Sequence, residues 1–218
     1  AWDLIDVERY IRALSHNPGE RVINFYTSKG CPFPCSFCYN LFFNKQKWRA
    51  KTAQRAFEEL EFLHKNYGIN YFVIHDDNFV VDKNRALEFA KLIKENGLEI
   101  KYSVDARVDY FNHAFLEQLK ESGLCELRVG CESGSNRILR EIIQKGITTE
   151  QTVKAIEVAK SLDLKLMLSF VIGWPTETMA ERQETINLVL KLQKIHNRAA
   201  IYPLWIYIPY PGTALFIK

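Results

Sequence analysis

The sequence predicts an α/β protein whose parallel strands form a (βα)6 partial barrel. Three observations lead there. Six short apolar runs, beginning at residues 22, 71, 100, 126, 166 and 201, alternate with five helical segments, the pattern of a parallel sheet with right-handed crossovers. Successive runs start 26 to 49 residues apart, which is room for βα units of ordinary size. Each run ends in Cys-, Gly-, Pro- or carboxylate-bearing residues, and in barrels the functional groups gather at that end of the strands.

Taken in order, Trp2 to Leu14 places Leu4, Ile5, Ile11 and Leu14 at the spacing of a short amphipathic helix, broken by His16-Asn17-Pro18-Gly19. Val22 to Thr27 is the first strand and runs straight into a cysteine-rich loop. Thr52 to Tyr67 carries Ala56, Phe57, Leu60 and Leu63 on one helical face and stops at Gly68. Tyr71 to His75 is the second strand, followed by Asp76-Asp77-Asn78, and Asn84 to Glu95 is a helix closed by Asn96-Gly97. The third strand spans Ile100 to Val104, and a helix from His113 to Glu121 ends before Gly123. Glu126 to Cys131 is the fourth strand; Ser135 to Gln144 and Thr149 to Leu162 form a helix in two parts around Gly146. Leu166 to Ile172, a long helix over Met179 to His196, and a sixth strand over Ile201 to Ile208 complete a partial TIM-type barrel. Residues 1–20 form a lead-in and 21–218 the barrel, expected to be a fragment of a larger protein.

Composition narrows the function classes. With 218 residues and 47% hydrophobic content the chain can bury one sizeable core. The net charge is +3 with basic residues dispersed, so nucleic acid is not indicated. No signal peptide and no apolar run near the roughly 18 residues of a membrane span is present, which predicts a cytoplasmic protein without a membrane partner. Five cysteines, three of them clustered, argue for a reducing interior over a disulfide scaffold. Cys125 and Cys131 stand apart from the cluster and read as core. His75 reads as a hydrogen-bonded core residue, and His16, His64, His113 and His196 as solvated. Lys45 to Lys51, with Trp48, reads as a solvated basic loop over the cysteines.

Strand parity identifies the inner face. Lys101, Ser103, Asp105 and Arg107 share one side of the third strand, and Glu126, Arg128, Gly130 and Glu132 one side of the fourth. Helices cover the outside, so the charged side faces in. Interior charge must be paired or must serve a polar ligand.

The chemistry concentrates in Lys29-Gly30-Cys31-Pro32-Phe33-Pro34-Cys35-Ser36-Phe37-Cys38-Tyr39-Asn40, a C-x3-C-x2-C spacing in which Pro32 and Pro34 preclude regular structure between the first two cysteines. Three readings stand: a structural zinc site, which wants four ligands where no fourth lies nearby; three unrelated buried cysteines; or a cubane iron–sulfur cluster with one iron left open.

The segment resembles the signature of the radical S-adenosylmethionine (SAM) enzymes, C-x3-C-x-aromatic-C, met by Cys31, Cys35, Phe37 and Cys38. Leu127 to Ser135 resembles that family's ribose-recognition segment, Val171 to Thr178 its segment beside the adenine, and Asp76-Asp77-Asn78 stands where many members have Gly-Gly-Glu. Thr176 replaces a glycine of many relatives. Ile208 to Thr213 resembles the strand-six ending of the cobalamin-linked and methylthiolating branches, and Asp76 to Phe79 and the Trp2 to Tyr10 lead-in are most similar to the cobalamin-linked branch. The resemblance implies a 4Fe-4S cluster on Cys31, Cys35 and Cys38 whose open iron binds SAM. It implies SAM contacts from Phe37, Tyr39, Asp76, Asp77, Asn78, Arg107, Glu132, Ser133, Ile172 and Gly173. It further implies reductive SAM cleavage to a 5′-deoxyadenosyl radical that abstracts hydrogen from a small-molecule substrate. An electron donor such as flavodoxin or ferredoxin would serve it, with cobalamin held by a domain upstream of Ala1. No protein side chain is assigned as catalytic; Trp174, Tyr207 and Tyr210 would roof the pocket. The alternatives are a methylthiotransferase-like radical SAM enzyme, or a non-catalytic iron–sulfur or zinc module.

Overall fold

A computed structural model describes residues 2–11 and 18–217. Six parallel strands form one sheet: β1 (Val22–Phe25), β4 (Tyr71–Ile74), β5 (Lys101–Ala106), β6 (Leu124–Glu132), β7 (Lys165–Ile172) and β8 (Ala199–Ile206), hydrogen-bonded in that order. The sheet is open between β1 and β8, so the barrel is partial, as the alternation of runs and helices predicts. A separate antiparallel ribbon, β2 (Ser28–Lys29) with β3 (Arg49–Ala50), flanks the cysteine loop.

Helices α2 (Ala53–Tyr67), α3 (Lys83–Glu95), α4 (His113–Glu121), α5 (Thr149–Ser161) and α6 (Met179–Ile195) cover the outer face; short helices α1 (Asn40–Phe43) and α7 (Ala214–Ile217) follow the cysteine loop and end the described chain. Their starts are set by side chains that accept otherwise unpaired N–H groups. Thr52, Asp82 and Asn112 cap α2, α3 and α4. Thr148 with Gln151 and Thr178 with Glu181 form reciprocal capping boxes on α5 and α6. Gly68 ends α2 at φ +62°, the left-handed cap that glycine adopts without steric cost. The apolar faces of α2 and α3 (Ala56, Phe57, Leu60, Leu63, Ala86, Phe89, Ile93) bury with Phe72, Tyr102 and Val104 of the sheet. Tyr102 is fully buried; its hydroxyl pairs with Ser122 and reaches the Leu119 carbonyl, which anchors the end of α4.

Several boundaries differ from the sequence reading. The lead-in forms two 3-10 turns, Trp2–Leu4 and Val7–Arg9, where one helix was expected; residues 12–17, with the rest of that expected helix and His16-Asn17, lie outside the described residues. The first strand stops at Phe25 because Thr27 and Ser28 turn to bond Asp76. The sixth strand runs from Ala199 to Ile206 and contains a cis Tyr202–Pro203 bond. The expected helix over Ser135 to Gln144 contains a π-turn, Ile138–Ile142. Its wider winding leaves carbonyls unpaired within the turn, and those of Ile142 and Ile143 accept from Ser36 in the cysteine loop. His196 is buried and bonds the Leu164 carbonyl, so it is not solvated. His64, partly buried, bonds the Ile69 carbonyl.

Gly123 adopts φ +110°, and an added Cβ would stand 2.2 Å from the Ile100 carbonyl; Gly97 adopts φ +62° with open space around it. Gly97→Ala is expected to cost about 1–2 kcal/mol, the left-handed penalty alone. Gly123→Ala adds a backbone clash and is expected to cost more than about 3 kcal/mol. Urea unfolding of the two variants measures the gap; equal losses would contradict the packing described for the α4–β6 junction.

Candidate functional site

The cysteine loop leaves β2 at Gly30, whose φ of +88° and contact with Lys47 exclude a side chain: a Cβ there would lie 2.0 Å from the Lys47 carbonyl oxygen. Two neighbouring carboxylates at the end of β4 hold the loop. Asp76, buried, accepts from the backbone N–H groups of Thr27 (2.7 Å) and Ser28 (2.9 Å) and from both hydroxyls. Asp77 accepts from Gly30 N–H (2.7 Å), the Tyr39 hydroxyl (2.8 Å) and the Asn40 side-chain amide (2.9 Å). One carboxylate therefore fixes the loop's entry, and the other ties its entry to its exit. Arg85 adds bonds to the Thr27 and Lys51 carbonyls.

Cys31, Cys35 and Cys38 line one cavity of about 370 Å³ with Phe37, Asn40, His75, Asp76, Asp77, Asp105, Arg107, Arg128, Glu132 and Lys145. Burial pushes all three thiols up from their ordinary pKa. Opposing it are the cations of Lys145 and Arg107 at Cys35, and backbone N–H groups of Phe33 at Cys31 and Asn40 at Cys38. These contacts offset part of the burial penalty on the anionic sulfur, which is the form that ligates metal. Burial and the Asp77 carboxylate push the Tyr39 hydroxyl up to about 12.

Two pairs take up four of the inward-facing charges. Arg128 grips Asp105 through two hydrogen bonds (2.7 and 3.1 Å) and also bonds Ser103 and the Ile74 carbonyl, so its fork is consumed inside the protein. Glu132 meets Lys145 at 2.6 Å, both buried. Burial works against the Lys145 charge, but Glu132 and Cys35 hold the ammonium above its ordinary pKa. The register shift between Gly130 and Glu132 and the left-handed Glu132 backbone (φ +65°) turn this carboxylate into the cavity. Gly130 makes the room, since a Cβ there would lie 2.1 Å from Glu132 Oε1 and 2.6 Å from Lys145 Nζ.

Of the residues expected to meet SAM, Phe37, Asp76, Asp77, Arg107 and Glu132 line the cavity with the three cysteines. Tyr39, Asn78, Ser133, Ile172 and Gly173 are not among its lining residues. Ser133 is bonded to Thr185 and Ser135; Gly173 N–H donates to Glu177, and the Ile172 carbonyl accepts from Tyr207. Asn78 is buried with both amide atoms unpartnered. Phe37 packs edge-on against Trp174 (5.2 Å), which stacks on Tyr207 (4.8 Å), while Tyr210 is exposed and outside that stack. His75 is exposed and paired with Asn24, and Cys125 is half-buried against the Tyr102 carbonyl. Cys131 is fully buried, as expected. Sequence reasoning missed Lys145 and Asn40. A lysine before Gly146 reads as a solvated helix end, and only the fold carries it back over Cys35.

A cubane suits this donor set: three thiols from one loop face a cavity that continues past them, with cations against the sulfur. A single tetrahedral ion would need its ligands converged at about 2.3 Å from one point, and among the described residues no three His, Cys, Asp or Glu side chains are grouped to hold one ion. SAM presents an amine, a carboxylate and an adenosyl group; the cavity offers acidic and basic side chains beside Phe37.

Residues 25–189 match the model of the radical SAM superfamily. An uncharacterized methyltransferase of Pyrococcus horikoshii is 40% identical over 190 residues, covering 87% of this chain and 40% of the relative. Cytidylyl-2-hydroxyethylphosphonate methyltransferase of Streptomyces wedmorensis is 33% identical over 179 residues, covering 80% of this chain and 34% of the relative. Among solved structures, the radical SAM methyltransferase TsrM from Kitasatospora setae, with cobalamin and a [4Fe-4S] cluster bound, superposes with a TM-score of 0.80 at 17% identity, over 97% of this chain and 37% of that one. The chain thus spans about two fifths or less of each of these proteins. Its cysteine spacing, its six-stranded partial barrel and these matches agree: the chain belongs to the radical SAM superfamily.

Proposed function

We propose that residues 21–218 are the catalytic core of a cobalamin-linked radical SAM enzyme, with residues 1–20 as its lead-in. The observation that carries this reading is the convergence of Cys31, Cys35 and Cys38 on a cavity that also holds Phe37, Glu132, Arg107 and Lys145. A 4Fe-4S cluster held there would supply, once reduced, the electron for splitting SAM into methionine and a 5′-deoxyadenosyl radical able to abstract hydrogen from a small-molecule substrate. The chain's own residues bind, orient and shield. The three thiolates would hold the cluster, and Glu132 and Lys145 present opposite charges suited to the amine and carboxylate of an amino acid group. The Phe37–Trp174–Tyr207 stack excludes water from one side, which protects a radical from quenching. Methyl transfer is supported by the two methyltransferase relatives, and cobalamin by the TsrM likeness; the corrin is assigned to another part of a longer protein.

The reductant fits the same face. Lys29, Lys45, Lys47 and Arg49 are exposed, have no acidic partner among the described residues, and lie on the ribbon and loop packed against Gly30. Their charge complements an acidic one-electron carrier such as flavodoxin or ferredoxin, in a cytoplasmic, reducing setting. No helix among the described residues is long and apolar enough to cross a membrane.

Anaerobic reconstitution tests the assignment. Cys31→Ala, Cys35→Ala and Cys38→Ala are each expected to abolish cluster assembly and 5′-deoxyadenosine formation, while Cys125→Ala keeps full iron and sulfide content. An iron-replete signature variant, or a Cys125 variant without iron, would remove the ligand assignment.

Glu132→Ala is expected to keep the cluster and weaken SAM binding by about ten- to a hundredfold, the loss of a charge-assisted hydrogen bond of about 1.5–3 kcal/mol. Asp105→Asn, whose carboxylate is spent on Arg128, is expected to lower stability and leave SAM affinity within about threefold. Calorimetric titration of SAM into both variants decides it; unchanged affinity in Glu132→Ala would refute its ligand role.

A further inference from the structure

Arg107 was expected to contact SAM, yet most of its guanidinium donors are directed within the protein, to Asp109, the Lys145 carbonyl and Cys35. Nε and Nη2 grip the Asp109 carboxylate at 3.0 Å each, Nη2 also donates to the Lys145 carbonyl at 2.7 Å, and Nη1 reaches Cys35 Sγ at 3.8 Å. The flat face lies 3.7 Å from the Phe33 ring centroid, between the first two cysteines in sequence. Four of the five N–H donors of an arginine are thereby directed within the protein. The side chain is 8% exposed, so its charge acts on its neighbours with little screening by water.

We propose that Arg107 is a positioning residue for the cluster that also sets its reduction potential, rather than a SAM ligand. A guanidinium N–H directed at a ligating sulfur, and a fixed positive charge beside it, stabilise the more negative reduced cluster and raise its potential; hydrogen bonds to sulfur, net charge and solvent exposure are the protein's known controls on such centres. Asp109 works in the opposite sense. It holds the fork in place and offsets part of the cation's field. The pair sets a compromise: a higher potential lets a mild carrier reduce the cluster, and a lower one gives the reduced cluster more drive to split SAM.

The inference rests on the cluster reading above, and iron content separates the two. The measurement is an anaerobic redox titration of the reconstituted protein without SAM, read by the electron paramagnetic resonance of the reduced cluster, with iron determined for each sample. Arg107→Gln, at full iron, is expected to lower the midpoint so that the reduced-to-oxidised ratio at a fixed potential falls about tenfold, which is about 59 mV for one electron. Arg107→Lys keeps the charge without the fork and is expected to fall between Gln and wild type. Asp109→Asn is expected to move the midpoint the other way. A purely structural role predicts no opposite shifts. Equal midpoints for wild type and Arg107→Gln at equal iron, or a downward shift in Asp109→Asn, overturns the proposal. If Arg107→Gln fails to hold iron, the sign of the Asp109→Asn shift decides alone. A wild-type protein that assembles no cluster removes the cluster reading and this inference together.

Discussion

Asp76 and Asp77, adjacent at the end of β4, are what the cysteine loop depends on. A proline-interrupted loop of this length has no backbone ladder of its own, so its conformation must be imposed from outside. Asp76 is almost fully buried, and an ionised carboxylate in that position is tolerable only when its oxygens are saturated. Two backbone N–H groups and two hydroxyls saturate them. Asp77 then links Gly30 to Tyr39 and Asn40 across the three cysteines. Ser36 on the π-turn, and Cys35 and Phe33 on Arg107, give two more anchors. The loop is thereby pinned to β4, to the segment after β5 and to the turn after β6, so three successive barrel units set the positions of three thiols.

The second constraint is the disposal of charge inside the barrel. Arg128 and Asp105 neutralise each other with further bonds to Ser103 and Ile74, and such a saturated pair acts mainly through folding. Glu132 and Lys145 are different. They hold one another in the cavity wall through a single short contact, each retaining capacity for another polar partner. A ligand carrying both an amine and a carboxylate can replace that contact with two of its own. The same lysine lines the cavity with Cys35 and its charge acts on that sulfur, so ligand recognition and cluster electrostatics share one residue.

The barrel was largely legible in the sequence because its signals are local. Strand parity separated Asp105, Arg107, Arg128 and Glu132 from Tyr102, Val104 and Val129, and the structure puts the first set on the cavity side. Turn residues placed helix ends within a residue or two, as at Gly68 and Glu121. What escaped was set by long-range contacts. Lys145 belongs to the site only because the π-turn carries it back over Cys35, and helical periodicity does not register an added residue in a turn. Asp76 and Asp77 line the cavity, and that their carboxylates also brace the loop could be seen only in the fold. Over the described part of the lead-in, residues 2–11, two 3-10 turns bury Val7 and leave Leu4 and Ile5 exposed, so the apolar residues do not gather on one continuous helical face there.

The central claim is that three thiolates hold a cubane whose fourth iron is left for SAM. Electron paramagnetic resonance of the reduced, reconstituted protein, recorded before and after saturating SAM, tests it most directly. The structure predicts a 4Fe-4S signal whose g-values shift when SAM is added, because the ligand enters the coordination sphere of the open iron. The absence of an iron–sulfur signal, or a signal indifferent to SAM, would contradict it.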